Sequence, residues 1–96
     1  MEVRIQAIHF DIAEKLTAFI NKKVERLQRH YPDISEADFT LKVVKPETAM
    51  NKEVVVRILS PQDEQVATKV ADSFEEAVDL CLEAIGKQLE KKKDKR

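Results

Sequence analysis

Residues 54–71 read VVVRILSPQDEQVATKVA: two β-branched-rich runs joined by the tight connector SPQD. Val54, Val56 and Ile58 alternate with Val55, Arg57 and Leu59, and Val66, Thr68 and Val70 alternate with Ala67, Lys69 and Ala71. A period of two with a proline-bearing polar break between the runs predicts an antiparallel hairpin. Working toward the N-terminus, Phe39, Leu41 and Val43 alternate with Thr40, Lys42 and Val44, and the polar segment KPETAMNK at 45–52 separates them from the hairpin. A third antiparallel strand follows from that pattern.

The first strand is EVRIQA at 2–7, where Val3, Ile5 and Ala7 alternate with Glu2, Arg4 and Gln6. Two stretches change period. Asp11 followed by Glu14 has capping-box spacing, and Leu16, Ile20, Val24 and Leu27 then recur at helical intervals until Tyr31-Pro32. Ser73 and Glu76 repeat the capping signal ahead of Phe74, Ala77, Val78, Cys81, Leu82, Ile85 and Leu89, a second apolar stripe.

The predicted order is β-α-β-β-β-α, without internal repeat or linker, so residues 1–96 are read as one domain. A strand-helix-strand start favours a parallel first pair, and hairpins extend the sheet antiparallel. Each helix has one apolar face, so both belong on one side of a four-stranded mixed sheet. The other side is left to solvent, with Arg4, Gln6, Thr40, Lys42, Arg57 and Lys69 expected on it. The fold class is α+β, a two-layer sandwich of the double-stranded-RNA-binding-domain type.

Composition bounds the function. The chain is 43% hydrophobic and 36% charged, with a formal net charge of −1. It can therefore bury a core, and disorder is not expected. One cysteine excludes an internal disulfide, and neither a signal peptide nor an apolar run of membrane-spanning length is visible. A cytoplasmic chain with no membrane association is the expectation.

Charge is sorted along the sequence. Residues 32–72 carry five cations against eight acids, whereas residues 86–96 carry six cations against two acids. Within the first helix Lys15, Lys22, Arg26 and Arg29 align away from the apolar face, with Lys23 and His30 flanking them. If the helices lie side by side, the basic end of the second joins this stripe into one cationic surface. A row of cations on a solvated face, or at a helix C-terminus complementing the dipole, also has an ordinary structural explanation. Two such rows on adjacent helices, with Leu89 keeping the second helix in register into its basic end, favour a polyanion partner.

Other chemistries find little purchase. His9 and His30 lack metal-ligand spacing, Cys81 lies on an apolar stripe as a small buried hydrophobe, and the acids Glu75 and Glu76 suit a helix N-terminus. A single glycine, Gly86, leaves no phosphate-cradling loop. Base reading on the open sheet would need aromatics there, and Phe39 falls in the buried set. The chain is read as a non-enzyme with no cofactor, no metal and no small-molecule substrate.

The element order, the rhythm of AFINKKVERL at 18–27, the strand LKVVK at 41–45 and the ending KQLEKKKDK at 87–95 together resemble the hibernation-promoting factor family of bacterial ribosomes. The likeness extends over essentially the whole chain. Longer members continue into a second, dimerising domain, so the chain looks like the short form. Departures are visible: Ala84 stands where some members have lysine, Ala13 where threonine is usual, and SFEEAVD at 73–79 replaces the common entry to the second helix.

That resemblance implies a protein that binds the small ribosomal subunit in the messenger and transfer RNA channel and inhibits translation in stress or stationary phase. Ribosomal RNA, with ribosomal proteins as further contacts, is the implied partner, and the free chain is expected to be monomeric. Lys23, Arg26, Lys87, Lys91 and Lys93 match the family's RNA-contacting positions. Lys22 and Arg29 join them from the helix-one stripe, and Lys92 and Lys95 from the basic ending, whose last few residues are expected to be disordered. A general double-stranded RNA-binding module, or a protein-protein adaptor working through the acidic helix-two face or the open sheet, are the rival readings.

Overall fold

The computed structural model describes residues 1–45 and 49–93, without the side chains of residues 92 and 93. The expected disorder at the extreme C-terminus lies outside these described residues. The elements are β1 (Glu2–Ala7), α1 (Glu14–His30), β2 (Glu36–Val43), β3 (Lys52–Ser60), β4 (Asp63–Ala71) and α2 (Phe74–Lys93). The sheet order is β1-β2-β3-β4, with β1 and β2 parallel and the other neighbours antiparallel. Fold class and element order are those expected from periodicity.

One side of the sheet carries the core. Ala37, Phe39, Leu41, Val54, Val56 and Ile58 are at most 1% exposed, and they pack against Ile20 and Val24 of α1 and against Ala77, Val78, Cys81 and Ile85 of α2. Ladder partners share a face, so the rows can be followed across the sheet: Ile5 pairs with Phe39, Phe39 with Val56, and Val56 with Ala67. The stacked rings of Phe10 and Phe74, 5.1 Å apart, join the β1–α1 connection to the start of α2.

The phase of β4 is opposite to the expected one. Gln65, Ala67 and Ala71 are buried on the helix side, and Val66, at 48% exposed, looks outward with Thr68 and Val70. The turn decides this. Ser60 pairs with Asp63 around Pro61-Gln62, which places Gln65 opposite Ile58 and Lys69 opposite Val54. A shift of one residue moves a whole strand to the other face, so Lys69 belongs to the helix side and not to the open face. It remains exposed because β4 is an edge strand. An inward-facing charge on an edge strand also discourages pairing with another chain.

The helix starts differ as well. Ser73 behaves as expected, its Oγ accepting from the Glu76 N–H at 3.1 Å. For α1 the Asp11 capping box does not form: the N-cap is Ala13, without a side-chain cap, and the helix begins at Glu14. Asp11 lies two residues too early for its side chain to reach the first free N–H groups from the N-cap position.

Candidate nucleic-acid interface

The buried stripe Leu16, Ile20, Val24 seats α1 on the sheet, and at about 100° per residue this turns Lys15, Lys22, Arg26 and Arg29 to solvent along one line. All four are exposed. Among the described residues no carboxylate pairs with Lys22, Arg26 or Arg29, so their charge is free to act outward.

Lys23 is differently employed. Its Nζ lies 3.0 Å from Asp79 Oδ1 of α2 and 5.2 Å from the centre of the Phe19 ring, in the groove between the helices. One of the two α1 positions matched to the family's RNA contacts therefore bridges helix to helix. Tyr31 and Glu90 make a second bridge, the phenol donating to Glu90 Oε1 at 2.7 Å. Together with Phe10–Phe74 at the other end, these contacts show that the two helices run parallel and finish at the same end of the sheet.

The cationic rows do not merge over the described residues. Asp79, Glu83 and Glu90 fall within about 40° of one another on α2, whereas Lys91 lies about 120° around from Asp79. Lys87 pairs with Glu83 at 3.6 Å, a solvent-exposed contact of small energy. The result is two basic rows, Lys22–Arg26–Arg29 and Lys87–Lys91, separated by a line of carboxylates. Lys95 lies outside the described residues, as do the side chains of Lys92 and Lys93.

The opposite face of the sheet is net acidic around its two arginines. Arg57 sits 3.8 Å from Glu36, 3.4 Å from Asp38 and 3.5 Å from Glu64, and Arg4 sits 2.8 Å from Glu2. Hydrogen bonding to Asp38, desolvation and the Asp38 charge hold the Glu36 carboxyl above its usual range. Four carboxylates around two guanidinium groups repel phosphate, and no aromatic residue is on this face of the strands. The field of this face is therefore unfavourable to a polyanion.

Two titrations reflect burial. The Tyr31 phenol is pushed up to about 12 by desolvation and by its bond to Glu90, and the Cys81 thiol to about 11 by burial, against the charge of Lys69. Cys81 is fully buried with its Sγ 3.3 Å from the Val54 carbonyl, the packing role expected of it. No group of three or more His, Cys, Asp or Glu among the described residues is placed to hold a metal. Among the described residues no helix is long and apolar enough to cross a membrane.

The bridging contacts of Tyr31, Asp79 and Glu90 escaped the sequence reading, which places Asp79 only in an acidic face of the second helix. Their partners are 56 to 59 residues away, a range at which helix periodicity carries no signal.

A family model described as "Sigma 54 modulation protein / S30EA ribosomal protein" matches residues 3–96. The chain belongs to this family. Within it, the chain is similar to the ribosome hibernation promoting factors of Pseudomonas putida and Azotobacter vinelandii. Each is 25% identical over 96 residues, covering 100% of this chain and 90% and 86% of the relatives' lengths. A solved ribosomal subunit interface protein from Coxiella burnetii superposes with a TM-score of 0.87 at 25% identity, over 99% of this chain and 100% of that one. The N-terminal domain of Protein Y from Thermus thermophilus shares the fold, with a TM-score of 0.79 at 14% identity over 95% and 98% of the two chains. The likeness to hibernation-promoting factors read from the ending and the helix-one rhythm is thus shown over the full domain.

Proposed function

We propose that this chain is a ribosome hibernation factor that binds the small ribosomal subunit, helix side down, in the messenger and transfer RNA channel, and inhibits translation in stress or stationary phase. The observation that carries this reading is the line Lys22, Arg26, Arg29: exposed, without carboxylate partners among the described residues, and held by a buried stripe on a domain of the hibernation family. The names of the relatives from Pseudomonas putida and Azotobacter vinelandii support it.

Structured RNA is recognised through phosphate, 2′-hydroxyl and shape, and cations on rigid helices suit such a surface. Occupation of the channel needs no catalysis. Lys87 and Lys91 supply a second row beyond the acidic line, with Lys92, Lys93 and Lys95 following them in sequence, and Lys23 contributes mainly by fixing α1 to α2. The chain acts as a cytoplasmic monomer when free.

Sedimentation with purified small subunits, with and without a messenger analogue, tests the reading. Co-sedimentation that the messenger analogue displaces is the expected result. Equal affinity for any RNA duplex would assign a general double-stranded RNA binder instead, and salt-insensitive capture of a protein alone would assign an adaptor.

A further inference from the structure

The sheet has two edges, β1 and β4, and they are built differently. On β4 the inward-facing Lys69, and the Gln88 amide that donates to the Val66 carbonyl at 3.5 Å, stand against pairing with another chain. β1 carries neither guard. It contains no proline, pairs with β2 without a bulge from Glu2 to Ala7, and turns Glu2 and Arg4 to the open face. At six residues it is a strand of ordinary length.

The ladder with β2 fixes which backbone groups are free. The Glu2 N–H donates to the Ser35 carbonyl at 3.0 Å and the Ile8 N–H to the Leu41 carbonyl at 2.9 Å, so the even-numbered residues of β1 face β2. In a parallel ladder the N–H and C=O of one residue point to the same side, and those of the next to the other. Val3, Ile5 and Ala7 therefore aim theirs away from the sheet, and among the described residues no hydrogen bond reaches these groups.

The side chains define what such an edge fits. On the helix side Val3 and Ile5 are only partly buried at the rim of the core. A strand laid along β1 continues that apolar row with every second residue, and its remaining residues fall on the open face beside Glu2, Arg4 and Gln6. Glu2 is in register with Glu36, and Arg4 with Asp38. The Glu2 row thus presents two carboxylates and the Arg4 row one charge of each sign. Arg4 and Arg57 are shared among Glu2, Glu36, Asp38 and Glu64, which leaves the local field negative. A cation beside Glu2 and an uncharged residue beside Arg4 are complementary to this pattern.

We propose that β1 is a docking edge for an extended segment of a partner protein, which adds as a fifth strand, alternates apolar with polar residues and sets a lysine or arginine beside Glu2. Strand addition takes its affinity from main-chain hydrogen bonds and its sequence preference from the alternate side chains. The α1 row points away from the sheet, so the segment and a polyanion on the helices do not compete. The inference is independent of the RNA-binding reading and adds a protein contact to it.

The test is nuclear magnetic resonance of the 15N-labelled full chain, by amide hydrogen exchange and by titration with the peptide KVTVTVK blocked at both ends. In the free chain the Val3, Ile5 and Ala7 amides should exchange rapidly and those of Arg4 and Gln6 slowly, since only the latter lie in the ladder. Saturable shifts along β1 and slowed exchange at Val3, Ile5 and Ala7 are expected with the peptide. The peptide EVTVTVE should bind about tenfold more weakly, and Glu2→Lys, at an exposed position, should reverse that order. Absence of shifts along β1 overturns the proposal. So do shifts without added protection at the three amides, or shifts confined to Asp79, Glu83 and Glu90, because the peptide is then held by charge alone. Protection already present in the free chain and rising with its concentration would overturn it in favour of a second copy, and the same protection produced by an RNA duplex in favour of RNA. Peptide binding and small-subunit co-sedimentation are read separately, so either reading can fail without the other.

Discussion

Lys23 of α1 and Asp79 of α2 meet at 3.0 Å across the helix groove, with the Lys23 side chain 30% exposed and that of Asp79 52% exposed. A pair so open to solvent stabilises the fold by only about 0.2–1 kcal/mol. Its larger effect is on the outward field, since Asp79 cancels a cation that the neighbouring Lys22 and Arg26 would otherwise reinforce. Asp79→Asn should therefore unfold at nearly the wild-type temperature yet bind small subunits more tightly. Its dependence of log affinity on log salt should be steeper by about 0.7–0.9, the increment of one added phosphate contact. Titrations at several salt concentrations check this, and an unchanged slope would mean that Lys23 stays buried in the groove when RNA binds.

The α1 row makes the converse prediction. Lys22, Arg26 and Arg29 are exposed and outside the core, so replacing all three with glutamate should leave the circular dichroism spectrum and cooperative unfolding intact. Small-subunit association should be lost. Arg26→Gln alone should lower the salt slope by about 0.7–0.9 without changing its sign. Retained co-sedimentation by the triple variant would move the contact to the α2 row and the basic ending.

Legibility followed the strength of the periodic signal. β1 and β2 alternate apolar with polar residues, and β3 keeps Val54, Val56 and Ile58 in one phase with Arg57 marking the other, so face and strand were both readable. For β4 the face was not: Val66 and Val70 look like a buried set and Gln65 and Lys69 like a solvent set, but the two-residue turn at Pro61-Gln62 imposes the reverse phase. Within the site, the line of Lys22, Arg26 and Arg29 depends only on helix geometry and was visible. The neutralisation of Lys23 by Asp79 and the carboxylates between the basic rows depend on packing between elements distant in sequence. No local pattern encodes those.

Tyr31 gives a pH prediction with a clean probe, because it is the only tyrosine in the chain. Its folded-state phenol is raised from the ordinary value of 10.0 to about 12, chiefly by desolvation and then by the bond to Glu90. The neutral form is thus favoured by folding: its stabilising contribution is complete below pH 10.0 and is lost as pH rises toward about 12. Phenolate absorbance should appear only near or with alkaline unfolding. Tyr31→Phe should lose about 0.5–1.5 kcal/mol at neutral pH through the missing hydrogen bond. It should also lack the tyrosine share of the alkaline destabilisation, which separates that share from Cys81, whose thiol is raised to about 11. Phenolate formation at pH 10.0 in the folded chain would mean the Glu90 bond is not made in solution.

Gly86 lies inside α2, where nothing comes within 4 Å of an added Cβ. Glycine in a helix interior is less favourable than alanine by roughly 0.5–1 kcal/mol, because it loses more backbone freedom on folding. Gly86→Ala should therefore stabilise the domain by that amount and raise Tm by roughly 2–8 °C in a thermal melt. The residue lies about 20° from Asp79 on the helix wheel, on the side of α2 that faces α1. If RNA rests on the exposed rows and not in that groove, small-subunit affinity should be unaffected by the methyl group. A stabilised variant with weakened association would place a ligand group against the helix at this position, close to the carboxylates that now separate the two basic rows.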